Sequence, residues 1–369
     1  MEVALQQRDA EGIWGERIRP QLRIIPAERT GVWLNSSPIT VEIATAGEAA
    51  SDDEGRTSDT FYCIVHHGHD GDPFWRLFNV FANFRADQHG LTNVEIHGKP
   101  LAREQAAQIT DCAERGAFAI ASTIPNPDAL GDALRAARRS GVNLFTFNSG
   151  AGAAADVGAI AHYSLDEHAT GEAAGAEFNA AGLTGTVLCL HHEPDNIGLR
   201  ERCEGLSNAY QGEVKSLTLA AGALGDPAIA GPSIAGFVAE HRAEGILLLN
   251  AGLMPAALGV KQRVHPDLAI GMVGRNEAAY LLIDDGLLLF SLFDGESQQA
   301  AHIVMAFNNL ERIHSQQGPP VYREPTTVMA MKPWVANQAH TDSFSDGWRD
   351  RYCRLLARRL PEFVPESCN

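Results

Sequence analysis

From Phe61 onward the chain alternates short apolar runs with longer amphipathic segments. In the segments 74–89, 101–115 and 127–140 apolar residues recur at three- and four-residue spacing, which predicts helices. The apolar runs between these segments predict strands at 61–65, 94–96, 117–122 and 142–147. Strands that alternate with helices in this way predict right-handed βαβ units and parallel sheets.

A second series of the same kind follows the first. Strands are predicted at 185–190, 215–219, 245–249, 268–273 and 287–292, and helices at 167–180, 197–210, 233–243, 253–262, 276–285 and 297–314. Two series of similar length predict an α/β protein with two doubly wound, Rossmann-like parallel-sheet domains joined by a hinge. The chain is expected to cross between the domains near 150–165, and the run 321–331 is predicted as a late strand or hinge segment.

These predictions divide the chain into four parts. The N-terminal lobe comprises 61–160 with part of 295–331, and the C-terminal lobe comprises 161–294. Residues 1–60 are predicted as an N-terminal extension with a short strand at Pro38–Ala44, and 332–369 as a C-terminal extension with a basic helix. The first twenty residues show no basic stretch followed by an apolar one, so a signal sequence is not visible and a cytoplasmic location stays open.

The charge of the chain disfavours some classes of partner, and the positions of its cysteines predict their redox state. The formal net charge is -17, from 29 basic and 46 acidic side chains, which disfavours nucleic acid and anionic membrane surfaces as partners. No run approaches the roughly 20 apolar residues of a membrane helix. Cys63 and Cys189 lie within apolar, strand-like runs, so they are predicted as buried, reduced thiols.

Ligands of open α/β sheets bind beyond the carboxyl ends of the strands. The segments that follow predicted strands are rich in polar, glycine and aromatic residues, as a sugar site would be: 66–75, 122–128, 148–150, 191–196, 250–254, 274–277 and 293–297. Two facing sheets would bring these segments into one cleft.

Several of these segments resemble motifs of one family in the order expected there. They are DPFW (72–75), IPNPDALGDAL (124–134), TFNSG (146–150), LCLHHEPDNIGLRERCEGL (188–206), NAGLMPAALGV (250–260) and DDGLLLFSLFDGESQQA (284–300). Over 61–331 the chain resembles bacterial sugar-binding proteins of the ribose-binding type, which serve ABC transporters.

The resemblance implies a type I periplasmic-binding-protein fold that binds a sugar or polyol in an interdomain cleft by hinge closure. It implies a transport or sensing receptor with a periplasmic or extracytoplasmic location, and a membrane permease or receptor as its partner. We therefore expect no catalytic residues, no cofactor and no direct membrane insertion.

The same resemblance assigns candidate ligand-binding residues. Phe74 and Trp75 would stack on the C–H face of a sugar ring. The candidates for hydrogen bonding to hydroxyls are His67, Asp72, Asn148, Ser149, His192, Arg200, Asn250 and Asp294. Asn148–Ser149 stands where the family often has Asp-Arg, and Asn250–Ala251 stands where it often has Asn-Asp, so the ligand need not be ribose or glucose.

Alternative interpretations remain open at this stage. The two histidine-containing loops would face each other, so His67, His69, His192 and Glu193 could form a metal site. The run 150–158 contains a degenerate dinucleotide fingerprint. The alternatives are therefore a metal- or nucleotide-dependent enzyme, or an intracellular ligand-sensing regulatory module on the same fold. One of Phe74 and Trp75 could instead join the core, and Arg200 and Arg202 could be exposed helix charges.

Overall fold

The computed structural model divides the chain into two units, Met1–Thr57 and Ser58–Asn369. The residues that it describes are 21–26, 33–34, 37–44, 60–69, 72–220, 222–274, 278–317, 326–342, 348–350 and 353–354. The first unit contains an antiparallel sheet of order β1-β3-β2. Its strands are β1 (Gln21–Pro26), β2 (Trp33–Leu34) and β3 (Ser37–Ala44). The strand predicted at Pro38–Ala44 is therefore confirmed. Most of the predicted basic helix near the C-terminus lies outside the described residues.

The second unit contains two lobes, each built on a six-stranded sheet within the described residues. The N-terminal lobe has β4 (Tyr62–His66), β5 (Val94–Gly98), β6 (Ala119–Thr123), β7 (Asn143–Phe147), β8 (Ala161–Leu165) and β14 (Thr327–Met331), in the order β14-β8-β7-β6-β4-β5. The C-terminal lobe has β9 (Thr186–His191), β10 (Glu213–Thr218), β11 (Gly245–Leu248), β12 (Ala269–Val273), β13 (Phe290–Phe293) and β15 (Trp334–Asn337), in the order β10-β9-β11-β12-β13-β15. Every neighbouring pair is parallel except β13 with β15.

Helices connect these strands and cover both sheets. The N-terminal lobe has α1 (Pro73–Gln88), α2 (Ala102–Glu114), α3 (Pro127–Arg139) and α9 (Glu296–Gln317). The C-terminal lobe has α4 (Glu167–Ala180), α5 (Ile197–Ala209), α6 (Pro227–His241), α7 (Met254–Arg263), α8 (Ala279–Asp284) and α10 (Gln338–Asp342). The prediction of two α/β parallel-sheet domains is thus confirmed. Among the described residues, no helix combines the length and apolar character needed to cross a membrane.

The helix starts follow from local sequence. Proline at the first helical position has no N–H group that needs a partner, and Pro73, Pro127 and Pro227 begin α1, α3 and α6. The side chains of the preceding residues accept hydrogen bonds from backbone N–H groups in the first turn, as N-caps do; these residues are Asp72, Asn126 and Asp226. Asp72 follows the carboxyl end of β4, so this cap also places a polar side chain at the edge of the N-terminal sheet.

The core lies on both faces of each sheet. In β4 all five residues are buried, because helices cover a parallel sheet on both sides. Tyr62 and Ile64 pack with residues of α1 and α9, whereas Cys63 and Val65 pack with residues of α2 and α3. The side chains of successive strand residues alternate between the two faces, which produces this division.

Two disulfide bonds correct the prediction of reduced thiols. Cys63 of β4 is bonded to Cys112 of α2, and Cys189 of β9 is bonded to Cys203 of α5. Each bond therefore links an internal strand of a sheet to a helix that covers that sheet. The prediction was wrong because the partner cysteines come close only after the helices pack, and no short motif marks the pairs.

The chain passes between the two sheets at three places within the described residues: after β8, after β13, and between β14 and β15. The backbone N–H of Asp166 donates to the carbonyl of Met331 (2.8 Å), which ties the first of these crossings to the third. Two predicted boundaries need correction. Strand β8 (161–165) belongs to the N-terminal sheet, and β15 (334–337), predicted within a C-terminal extension, belongs to the C-terminal sheet. The late strand predicted within 321–331 is confirmed as β14.

Candidate functional site

A cavity lies between the two lobes, where the carboxyl ends of strands from both sheets face each other. It has a volume of about 350 Å³, which includes space open to solvent. Its lining residues are His67, Asp72, Phe74, Trp75, Asn148, Ser149, His192, Glu193, Asn196, Leu199, Arg202, Leu249, Asn250 and Asp294. The structure thus brings together every predicted ligand-binding residue except Arg200. A smaller adjoining cavity shares Phe74, Asn250 and Asp294.

Arg200 is exposed, and Arg202 lines the cavity instead. Residues two positions apart on a helix point to nearly opposite sides, so α5 can present one of these arginines to the site and leave the other in solvent. Arg202 forms an ion pair with Glu167, and both side chains are buried. Gly171 and Gly205 allow α4 and α5 to pack this closely, since a Cβ atom at either position would lie about 2 Å from backbone oxygen of the other helix.

Hydrogen bonds join the lobes directly across the cavity. The side-chain amide of Asn250 donates to both carboxylate oxygens of Asp72, each at 3.1 Å. The Asn196 amide nitrogen lies 3.2 Å from Nε2 of His67, and the backbone N–H of Ile197 donates to the carbonyl of Pro125 (2.9 Å). The lobes are therefore closed on each other, and their polar groups partly satisfy one another.

The aromatic residues of the site belong partly to the core. Trp75 is 3% exposed and stacks on the imidazole of His66, with ring centroids 4.3 Å apart and planes 4° apart. Phe78 and Phe147 contact the same indole edge to face. Phe74 is less buried and lines both cavities. Phe74 is thus the aromatic side chain with more surface available to a ligand.

Burial controls the charge of the site. It lowers the pKa of His67 to about 3, with help from the Arg202 charge, and lowers the pKa of His192 to about 4. Both imidazoles are therefore neutral at pH 7. Burial also raises the pKa of three carboxyl groups in the cavity, those of Asp72, Glu193 and Asp294.

Two buried polar atoms of the cavity have no hydrogen-bond partner within the described part of the chain: Nδ1 of His192 and Oδ1 of Asp294. Leaving such a group unpaired in the interior costs about 1–3 kcal/mol. Both residues line the cavity, so a bound ligand can supply the missing partners.

Some residues of the site were not predicted. Asn196 and Arg202 line the cavity but were absent from the predicted set, and Glu193 was considered only as a metal ligand. A signal for Asn196 was available, because an asparagine between a strand end and a helix start is a typical N-cap. Its side chain accepts from the N–H of Gly198 at 3.0 Å, and its amide reaches the cavity.

The dinucleotide fingerprint at 150–158 does not have the context it requires. A short 3₁₀ turn at Ala151–Ala153 follows β7, and the chain continues into β8. A phosphate-binding fingerprint needs a helix that starts at this point and presents its N-terminus to the ligand. The arrangement gives no support to a nucleotide site here.

Two α/β lobes, three crossings and a polar cavity between the lobes define a two-lobed, ligand-binding protein of the periplasmic-binding type. The family described as "periplasmic binding protein domain" matches residues 64–312. The chain belongs to this family, which confirms the resemblance seen in the sequence. A comparison with curated proteins finds no match.

Solved structures share the fold at low sequence identity. A carbohydrate transporter from Acidothermus cellulolyticus, in complex with myo-inositol, is 20% identical with a TM-score of 0.68, covering 77% of this chain and 96% of that one. The Caulobacter myo-inositol binding protein, bound to myo-inositol, is 16% identical with a TM-score of 0.64, covering 79% and 97%. An ABC transporter solute-binding protein from Burkholderia graminis, in complex with D-arabinose, is 17% identical with a TM-score of 0.62, covering 78% and 98%.

Proposed function

We propose that this protein is an extracytoplasmic receptor that closes its two lobes around a sugar or polyol and delivers it to a membrane permease or sensor. The observation that carries the proposal is the cavity itself, in which acceptors and donors from both lobes face one shared space. A ligand that contacts both walls stabilises the closed state by its differential contacts, which is the basis of a hinge receptor.

The side chains of the cavity suit hydroxyl groups. Carboxylates accept short, charge-assisted hydrogen bonds from hydroxyls, and amides both donate and accept. Asp72 and Asp294 supply the carboxylates, and Asn148 and Asn250 supply the side-chain amides. Phe74 offers an aromatic face for the C–H side of a ring. Solved structures of the same fold contain myo-inositol and D-arabinose, which supports a neutral polyhydroxylated ligand.

The ligand must replace contacts that the lobes now make with each other. The bond between Asn250 and Asp72 occupies two groups assigned to the ligand. Binding therefore requires the lobes to separate and then close again with the ligand inserted. Such opening and closing is expected of a receptor whose conformation differs between the open form and the ligand-bound, closed form.

The disulfide bonds support the proposed location. Cys63–Cys112 and Cys189–Cys203 both lie in the cores of the lobes. Disulfides form and persist in oxidising compartments such as the bacterial periplasm and the cell exterior.

A thermal-shift panel of neutral sugars and polyols, run in chelator, tests the proposal. We expect at least one compound of the panel, which includes myo-inositol, D-arabinose and D-allose, to raise the unfolding temperature of the wild type. The shift is expected to shrink in Asn250→Ala but not in Asn208→Ala, a matched control on the exposed side of α5. A panel without any shift, or equal shifts in both variants, would contradict the proposal.

A further inference from the structure

A cluster of three metal-ligating side chains spans the two lobes. One ligand atom each from Asp72, His192 and Glu193 lies within 4.8 Å of the other two. Asp72 belongs to the N-terminal lobe and caps α1, whereas His192 and Glu193 directly follow β9 of the C-terminal lobe. We propose that this cluster binds a divalent cation of the zinc type, held jointly by both lobes. This metal site does not depend on the proposed sugar ligand.

His192 provides a second, independent indication of a bound ligand. Its side chain is 5% exposed and lines the cavity, and its Nδ1 atom is buried with no hydrogen-bond partner among the residues that the structure describes. A buried ring nitrogen without a partner is costly unless a ligand engages it.

Neighbouring groups orient the two carboxylates as outer-shell partners do in metal sites. Asp72 accepts from the backbone N–H of Phe74 (2.9 Å) and from Asn250 (3.1 Å). Glu193 accepts from the side-chain amide of Asn196 at 2.6 Å. Each carboxylate therefore has a fixed position and still has lone pairs available for a cation.

The charge balance of the cavity also favours a cation. Among the described residues that line it, Arg202 carries the permanent positive charge, and Glu167 is already its ion-pair partner. Three acidic side chains, those of Asp72, Glu193 and Asp294, also line it, and Glu193 lies 3.4 Å from Nε2 of His67 and 3.9 Å from Nε2 of His192. Bringing three carboxylates together in a closed cavity is unfavourable, and a divalent ion offsets two of their charges at once.

The donor set indicates which cation fits. One imidazole nitrogen with two carboxylate oxygens suits zinc, and three protein ligands leave a position open for water or a ligand hydroxyl. Calcium prefers six to eight oxygen ligands, which this cluster does not provide.

These three metal ligands differ from the candidates considered from the sequence, which were His67, His69, His192 and Glu193. Asp72 takes the place of His67, because the His67 ring nitrogens already lie close to Thr123 Oγ1 (2.9 Å) and to the Asn196 amide (3.2 Å). His69 is not among the residues that line the cavity.

The site is tested on the untagged full chain after treatment with chelator. Titration with zinc chloride, followed by calorimetry, is expected to show one ion bound per chain. Glu193→Gln and His192→Ala should each weaken binding at least tenfold, and calcium should bind at least tenfold more weakly than zinc. His168→Ala is the control, because His168 is an exposed histidine 3.4 Å from a carboxylate oxygen of Glu172, and it should leave the affinity unchanged.

Glu193→Gln keeps the shape of the side chain, so it remains informative if His192→Ala does not fold. Absence of stoichiometric zinc binding, or equal affinities in the wild type and in Glu193→Gln, would overturn the metal site. A parallel sugar titration in chelator separates the two proposals. Sugar binding without zinc binding would support the receptor function and contradict the metal site. Zinc binding without sugar binding would support the metal site and contradict the receptor function.

Discussion

Asn250, at the end of a strand in the C-terminal lobe, donates its side-chain amide to both carboxylate oxygens of Asp72 in the N-terminal lobe, each at 3.1 Å. Both residues are almost fully buried. Asp72 is also the N-cap of α1, so one carboxylate takes part both in the start of a helix and in the contact between the two lobes. This pair connects the fold with the proposed function, because a ligand must exchange with it.

Removing the amide at position 250 should weaken ligand binding. A buried ligand hydroxyl that loses its partner costs about 1–3 kcal/mol, so Asn250→Ala should lower the affinity for the best ligand of the panel about 5- to 100-fold. Isothermal titration in chelator measures this change. An affinity within twofold of the wild type would show that Asn250 does not contact the ligand.

The two arginines of α5 form a matched pair for a stability test. Arg202→Met leaves Glu167 as a buried carboxylate without its ion-pair partner, which should cost about 3–5 kcal/mol. Arg200→Ala removes an exposed charge and should change stability by less than about 0.5 kcal/mol. Chemical denaturation of both variants measures the difference. Similar stabilities for the two would contradict the buried position of Arg202.

The loop before α1 should not tolerate a side chain at Gly68. A Cβ atom there would lie 1.8 Å from Cδ1 of Trp75, whose ring is buried and stacked on His66. Gly68→Ala should therefore destabilise the fold by about 3 kcal/mol, at the upper end of overpacking effects. Gly236→Ala is the control, because its Cβ has no atom within 4 Å and it lies inside helix α6. This control should be stabilising by about 0.5–1 kcal/mol, and urea unfolding resolves the two outcomes.

Reduction of the disulfides should destabilise both lobes. In the chain-entropy account, the bond between Cys189 and Cys203, 14 residues apart, contributes about 3 kcal/mol, and that between Cys63 and Cys112, 49 apart, about 4 kcal/mol. Unfolding with and without a phosphine reductant measures the loss. Alkylation of these four cysteines in denatured, unreduced protein would show that the bonds are not formed.

His192 should make stability depend on pH. Its folded-state pKa of about 4 lies below the unfolded value of 6.5, so the unfolded chain binds more protons between these values. The stability associated with the neutral imidazole is present above pH 6.5 and is lost as the pH falls towards 4. From pH 7 to pH 5 this contribution falls by about 2 kcal/mol.

The carboxyl groups of Asp72, Glu193 and Asp294 act in the opposite direction, because their raised pKa values favour the folded state at low pH. Comparing the pH dependence of the unfolding free energy between the wild type and His192→Gln, both in chelator, therefore isolates the contribution of His192. Gln does not titrate, so the variant should lose about 2 kcal/mol less than the wild type between pH 7 and pH 5. Identical pH profiles would show that His192 is not buried in a neutral state.

The sequence predicted the architecture well because the fold depends on local periodicity. Apolar runs such as 61–65 became buried strands, and five of the seven predicted polar segments contribute residues to one cavity, since parallel strands end at the same sheet edge. The N-caps Asp72 and Asn196 show how helix starts and site residues coincide.

Features that depend on pairing between distant segments were not predicted correctly. β15 pairs with β13, which lies far from it in the sequence, and β8 joins the N-terminal sheet at its crossing point. Neither choice is visible in the periodicity of a single run. Arg200 and Arg202 differ only in which side of α5 they occupy, and this side is set by packing against α4.

A crystal structure of the protein with the best ligand of the sugar and polyol panel tests the central claim most directly. We predict that the ligand lies between the lobes, that it replaces the Asn250–Asp72 hydrogen bond with its own hydroxyl groups, and that one ring face rests on Phe74. A ligand bound on an outer surface, with Asn250 and Asp72 still bonded to each other, would contradict the account.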